Sequence, residues 1–227
     1  MRSLLALLLF AHAAFAAEPN TLTAEEQAAG WKLLFDGKTP AGWHGVGKAE
    51  FPAKGWIVED GTLKNIGKAR GGDILTNEEF ENFELVWDWK IAAKGNGGLK
   101  YNLPDPKHGL GCEYQMIDDA GHSDGKTRLH QTASLYDLIE PAPETKPSPV
   151  GEWNTSKLIV NGNKVEHWLN GTKTVSYELG SDVLKALIAK SKYKSAANFG
   201  IKIKSSLLLQ DHGDDVAVRN VKLRPLK

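Results

Sequence analysis

Glu113 and Gln115 stand two residues apart, as do Lys100 and Asn102, and Gln210 and His212. In an extended chain, side chains two apart project from the same side. Three such pairs converging on one sheet face would supply proton transfer and hydroxyl recognition together. A solvated outer face, usual for antiparallel sheets, accounts for the same spacing, and periodicity alone favours it. Two denser clusters shift the balance toward chemistry. Gln115-Met-Ile-Asp-Asp119 is followed by His122, Asp124, Lys126 and Arg128, and Gln210-Asp-His-Gly-Asp-Asp215 gathers charge at a strand end. Acids and histidines so placed can transfer protons or bind a cation, and a calcium site of aspartate oxygens is compatible with them. Neither cluster has the spacing of a known zinc site, and both also read as polar turns. The chain carries no P-loop, no dinucleotide fingerprint and no Gly-x-Ser-x-Gly elbow.

The elements that must position these groups are mostly short and separated by Gly, Pro, Asn and Asp. In Phe83 to Ile91, the residues Phe83, Leu85, Trp87, Trp89 and Ile91 fall on one face; Glu84, Asp88 and Lys90 fall on the other. Period two over this span predicts a strand buried on one side. Leu99 to Leu103 and Gly111 to Ile117 are expected to follow as strands. Lys157 to Val160, Val165 to Asn170 and Thr174 to Glu178 form an expected meander, with Asn-Gly turns at 161–162 and 170–171. Leu207 to Gln210 and Val216 to Leu223 close the domain. Thr23-Ala-Glu-Glu26 matches a capping box for a short helix ended by Gly30, and Ser181 can cap a second, with Val183, Leu184, Leu187 and Ile188 at helical spacing. The four prolines of Glu140 to Pro149 predict an irregular excursion. Many short strands with one or two helices imply an all-β, antiparallel sandwich.

Seven tryptophans are many for 227 residues, and aromatic faces stack on sugar rings. Trp87 and Trp89 belong to the core face of their strand, whereas Trp168 alternates away from the apolar positions and could face a ligand. His167 shares its face with Val165 and Leu169, which predicts a packed, hydrogen-bonded histidine. Cys112 is the one cysteine, so no disulfide forms within the chain, and its apolar alternation predicts a buried, inert thiol.

Residues 1–16 read as a cleaved signal peptide: Arg2, the apolar run Leu4 to Phe10, and Ala14-Phe15-Ala16 before the cut. Residues 17–227 are then one exported domain, periplasmic or secreted. The apolar run is too short for a transmembrane anchor, and no later stretch is long enough. The chain has 28 basic and 28 acidic side chains, and loss of Arg2 leaves a charge of −1. That balance does not suggest nucleic acid or anionic lipid as partner.

A series of motifs resembles the 3-keto-disaccharide hydrolase family. They run in order from Leu33-Leu-Phe-Asp-Gly-Lys38 and Gly42-Trp43 through Trp56-Ile-Val-Glu-Asp-Gly61 and Gly72-Asp-Ile-Leu-Thr76. Asn96-Gly-Gly-Leu-Lys-Tyr101, Cys112-Glu-Tyr-Gln-Met-Ile-Asp-Asp119 and Ser134-Leu-Tyr-Asp-Leu-Ile139 continue the series. Gly151-Glu-Trp-Asn154, His167-Trp-Leu-Asn-Gly171 and Leu209-Gln-Asp-His-Gly213 complete it. The resemblance spans about Leu33 to Leu223. It implies a concanavalin A-like jelly roll whose concave sheet face binds sugar. One departure stands out: relatives often carry Gly-Ser/Ala-Leu-Tyr where this chain has Gln131-Thr-Ala-Ser-Leu-Tyr136 after His130, so a proton-transfer role for His130 would be particular to this chain.

The resemblance further implies cleavage of a 3-keto-glycoside. A C3 ketone acidifies the C2 hydrogen; a base removes it, the enolate expels the C1 substituent, and water adds to the unsaturated sugar. On residue chemistry and motif position together, Glu113, Asp118 and His212 are the proton-transfer candidates. Lys100, Gln115 and Gln210 could bind hydroxyls or the enolate, and Tyr136 and Trp168 could form walls. The sequence identifies no cofactor, although a divalent cation could polarise the ketone in place of a cationic side chain. A conventional two-carboxylate glycosidase and a non-catalytic carbohydrate-binding module are the alternatives.

Overall fold

Period-two burial is clearest from Phe83 to Ile91, where buried and half-buried residues alternate without a break. The computed structural model describes residues 18–227; the expected signal peptide lies outside the described residues. In chain order the strands are β1 Lys32–Leu33, β2 Trp43–Gly45, β3 Trp56–Glu59, β4 Thr62–Asn65, β5 Ile74–Thr76, β6 Phe83–Ile91 and β7 Asn96–Asp105. They continue as β8 Leu110–Ile117, β9 Asn154–Asn161, β10 Lys164–Leu169, β11 Thr172–Glu178, β12 Leu208–Leu209 and β13 Val216–Pro225. Helix α1 is Ala24–Ala28, started by the Thr23/Glu26 capping box, and α2 is Asp182–Ile188, whose Leu184 N–H donates to Ser181 Oγ at 3.2 Å.

Eight strands form one sheet, ordered β11-β10-β9-β6-β13-β4-β3, with β1 beside β13. Five form the other, ordered β2-β5-β12-β7-β8. The named pairings are antiparallel. The expected all-β sandwich is therefore the observed fold; Phe83–Ile91 has the expected bounds, several other strands run a few residues longer, and the expected strand Leu207 to Gln210 shrinks to Leu208–Leu209.

The core lies between the sheets. Trp87 packs edge-on against Tyr114 across it, with ring centres 4.9 Å apart. Polar seams cross the same space. Ser156 Oγ takes the Trp89 Nε1–H at 2.8 Å and lies 2.7 Å from Tyr114 Oη. His167 Nε2 lies 2.6 Å from Tyr101 Oη, and its Nδ1 lies 3.2 Å from the Ala133 carbonyl. The prediction of a packed, hydrogen-bonded His167 holds, and Cys112 is buried as expected.

Strand pairing also defines the second face of the five-stranded sheet. Leu209 pairs with Leu99, which pairs with Tyr114, and these point into the core. One residue away, Leu208 pairs with Lys100 and Lys100 with Glu113, so this row faces the opposite way. Strand β8 is the edge of its sheet. Segment 133–136 covers that edge: Ala133 N–H donates to Gln115 O at 2.9 Å and Tyr136 N–H to Glu113 O at 3.1 Å.

Candidate active site

On the face turned from the core, a cavity of about 90 Å³ is lined by Asn96, Glu113, Gln115, Tyr136, Lys192, Gln210 and His212. Strand register builds its floor. Gly98 is the partner of Gln115, and its carbonyl accepts the Gln210 N–H at 3.0 Å. These contacts set Gln210, Gln115 and Glu113 around one glycine. A Cβ on Gly98 would stand 3.0 Å from Glu113 Cδ and closer still to Oε1, so glycine is what lets the carboxyl lie over the sheet.

Glu113 is 5% exposed. Burial pushes its carboxyl up, against the opposing pull of Lys100 and Lys192. Lys100 Nζ is 3.8 Å from Glu113 Oε2 and donates to the Gly109 carbonyl at 3.1 Å. Lys192 is anchored by its backbone N–H to Asp137 Oδ2 at 2.9 Å, and its ammonium lies 4.0 Å from the centre of the Tyr136 ring. Partial burial holds that ammonium below the usual lysine range, partly offset by Glu113 and Asp137. Gln115 Oε1 and Gln210 Oε1 are buried without a partner, so two free acceptors face a space with room for donors. A buried acid, two cations and unpaired amide oxygens together suit a polyhydroxylated ligand that undergoes proton transfer.

The structure brings together Glu113, Gln115, Tyr136, Gln210 and His212, with Lys100 paired to Glu113 at the cavity's margin. It does not bring Asp118 or Trp168 there. Asp118 accepts three backbone N–H groups, of Lys94, Ala120 and Gly121, at 2.8 to 3.2 Å. Although burial acts the other way, these bonds hold its carboxyl below the usual range, as suits a loop staple. Trp168 lies on the outward face of the eight-stranded sheet, its Nε1–H on Glu166 Oε2 at 2.9 Å and the Lys157 ammonium 4.2 Å from its ring centre. His130 stacks on Tyr136, ring centres 4.3 Å apart, with its nitrogens 2.6 Å from Asp124 Oδ1 and 3.2 Å from Asp137 Oδ1. It supports the wall of the cavity without lining it.

Asn96 and Lys192 were not singled out from sequence. Asn96 opens β7 just before the expected strand, and Lys192 follows α2 in a segment with no periodicity. No sequence signal pointed to Lys192.

Among the described residues, His122, His212 and Asp214 have the composition of a divalent-cation site, with one ligand atom of each within 4.8 Å of the others. The donor chemistry does not fit as arranged. His122 Nδ1 accepts the Asp124 N–H at 3.1 Å, which places the ring proton on Nε2. A metal-bound imidazole has the reverse polarity, donating from its remaining nitrogen. A much larger hollow, about 880 Å³, lies on the same sheet face beyond the turn Pro106–His108, lined by His44, Lys48, Leu75, Asp105 and Lys204 among others. It holds none of the buried unpartnered oxygens and none of the site residues singled out from sequence.

Known proteins resemble the chain over most of its length. Residues 30–224 match the family described as a 3-keto-alpha-glucoside-1,2-lyase-like domain. A 3-keto-disaccharide hydrolase of Bacteroides thetaiotaomicron is 34% identical over 244 aligned positions, covering 93% of this chain and 83% of the relative. A crystal structure of a Parabacteroides distasonis protein described as a glycosyl hydrolase superposes with a TM-score of 0.83 at 37% identity, covering 92% of this chain and 100% of the other. A second such protein from that organism gives 0.66 at 25% identity, covering 86% and 99%.

Proposed function

Because the chain belongs to the 3-keto-alpha-glucoside-1,2-lyase-like family, we propose that it is an exported enzyme that cleaves 3-keto-glycosides by elimination across C1–C2 followed by hydration. The chain is a hydrolase-like carbohydrate-active protein. The observation that carries the finer reading is the cavity itself: one buried carboxyl, Glu113, beside His212, with Lys100 and Lys192 close enough to act on its charge. Elimination next to a ketone needs a base at C2, a donor for the enolate oxygen and an acid for the departing oxygen. Glu113 and His212 supply the proton transfers, and Lys192, which lines the cavity, is the cation available to the enolate. Gln115 and Gln210 offer acceptors to sugar hydroxyls. A two-carboxylate glycosidase would need a second acid on the cavity wall, and among the described residues Glu113 is the one carboxyl that lines it.

The test is an assay of residues 17–227 with a 3-keto-glucoside, a 3-keto-disaccharide and their unoxidised parents, with and without chelator. Release of 3-ketoglucose from the keto substrates alone supports the reading, and chelator should leave it unchanged. Cleavage of only the unoxidised parents replaces it with a conventional glycosidase. Sugar binding without any cleavage replaces it with a carbohydrate-binding module. Export rests on Arg2, the run Leu4 to Phe10 and the Ala14-Phe15-Ala16 site, and is checked by fractionation and N-terminal sequencing, with Ala17 expected first.

A further inference from the structure

We infer that His212 Nε2 is the base that takes the C2 proton, that Asp214 is the positioning residue fixing it in that role, and that Glu113 protonates the departing oxygen. The inference rests on the elimination reading and assigns its parts.

A closed circuit of hydrogen bonds supplies the argument. Asp214 Oδ2 accepts the Asn96 backbone N–H at 3.1 Å and lies 3.4 Å from His212 Nδ1. A carboxylate can only accept, so Nδ1 carries the ring proton. Asn96 Oδ1 accepts from Gln115 Nε2 at 3.2 Å, which orients the Asn96 amide and turns its Nδ2 toward His212 Nε2 at 3.5 Å. Nε2 therefore presents a lone pair on the cavity side. The 3.5 Å contact is long, so a substrate C–H can displace it at little cost. An acid that orients a histidine through Nδ1 so that Nε2 can act is the logic of serine-protease triads, reached here with a carbon acid in place of a hydroxyl. His122 stands against the other side of the His212 ring, centres 5.6 Å apart, and limits its rotation. Glu113 is then left for the opposite transfer, and burial favours its protonated form.

The steps balance. His212 Nε2 takes the proton from C2, and the electron pair passes into the C1–C2 bond as the C1–O bond breaks. The departing oxygen takes the Glu113 proton. In hydration, Glu113 as carboxylate removes a proton from water, the hydroxyl bonds to C1, and His212 returns a proton to C2.

The two transfers are separable by experiment. A 3-keto-1,5-anhydroglucitol has a C2 hydrogen and nothing to expel at C1, so its loss of the C2 proton signal in D₂O reads the base alone. His212→Gln is expected to lose this exchange by about 10²- to 10⁴-fold. Glu113→Gln should still exchange, while losing turnover of keto-glycosides with alkyl leaving groups far more than of nitrophenyl ones. Asp214→Ala should slow exchange about 10²-fold, with Asp214→Asn recovering most of it because the amide oxygen can still accept from Nδ1. Exchange lost in Glu113→Gln and kept in His212→Gln overturns the assignment. Equal losses in the two Asp214 variants, or no loss, remove Asp214 from it. Failure of the parent reading looks different: the wild-type protein would cleave keto-glycosides without placing deuterium at C2 of the product, or would not cleave them.

Discussion

Gly98 decides whether Glu113 can work. Its missing Cβ leaves the space the carboxyl occupies, and its φ is not of the left-handed kind, so alanine is tolerated by the backbone. Gly98→Ala should therefore displace Glu113 and lower kcat by about 10²-fold, the usual consequence of misplacing a reacting group by an ångström. Its melting temperature should stay near that of the wild-type protein. A kcat within twofold of wild type would show that the carboxyl has another working position. At this scale the sequence was partly legible. Period two put Glu113 with Gln115, because a strand imposes that geometry wherever it lies; Gln210 and His212 meet the cavity from the irregular segment just beyond β12. Trp168 obeyed the same rule and points away from its core face. Which of two sheets carries the site is a tertiary fact, and alternation within one strand does not contain it. Asp214 and Lys192 act through turns, where spacing has no fixed meaning.

Strands β9 and β10 carry the polar seams that tie the sheets together. Ser156 on β9 serves Trp89 and Tyr114 at once. Ser156→Ala leaves the buried Trp89 N–H without its acceptor and Tyr114 Oη without one partner, and should lower unfolding free energy by about 1–3 kcal/mol in urea titration. His167 on β10 is fully buried, and desolvation lowers its pKa from 6.5 to about 4. The folded state therefore refuses a proton that the unfolded chain accepts. The stability this provides is complete above about pH 6.5 and is lost as pH falls toward 4, reaching ~3 kcal/mol for such a shift. Unfolding curves at pH 7 and pH 4 should show that loss in the wild-type protein, and His167→Gln should show less of it. An identical pH dependence in the variant would assign the loss to other groups. The long strands were legible because five or more alternations outweigh chance. Strands β1 to β5 span two to four residues each, too few for a period to register.

The whole molecule closes over Cys112, which is 1% exposed between the sheets and whose thiol burial pushes up to about 12. It should resist thiol reagents in the native protein and be labelled at the rate of global unfolding. Faster labelling would reveal a local opening of β8, the strand that carries Glu113. The sandwich itself was readable from the density of turn residues and the shortage of helical periods, since both follow from composition.

The site divides its support between two kinds of backbone. Glu113, Gln115 and Asn96 sit on paired strands, where a one-residue insertion would turn every neighbour to the wrong face. Lys192 hangs from segment 190–200, which can lengthen or shorten without disturbing that register, whereas Tyr136 is tied to β8 by its own backbone N–H and that of Ala133. Descendants of such a scaffold can drift in what they grip while keeping how they react. Laboratory diversification aimed at new leaving groups belongs in segment 190–200 and should leave β7, β8 and the segment paired to β8 alone.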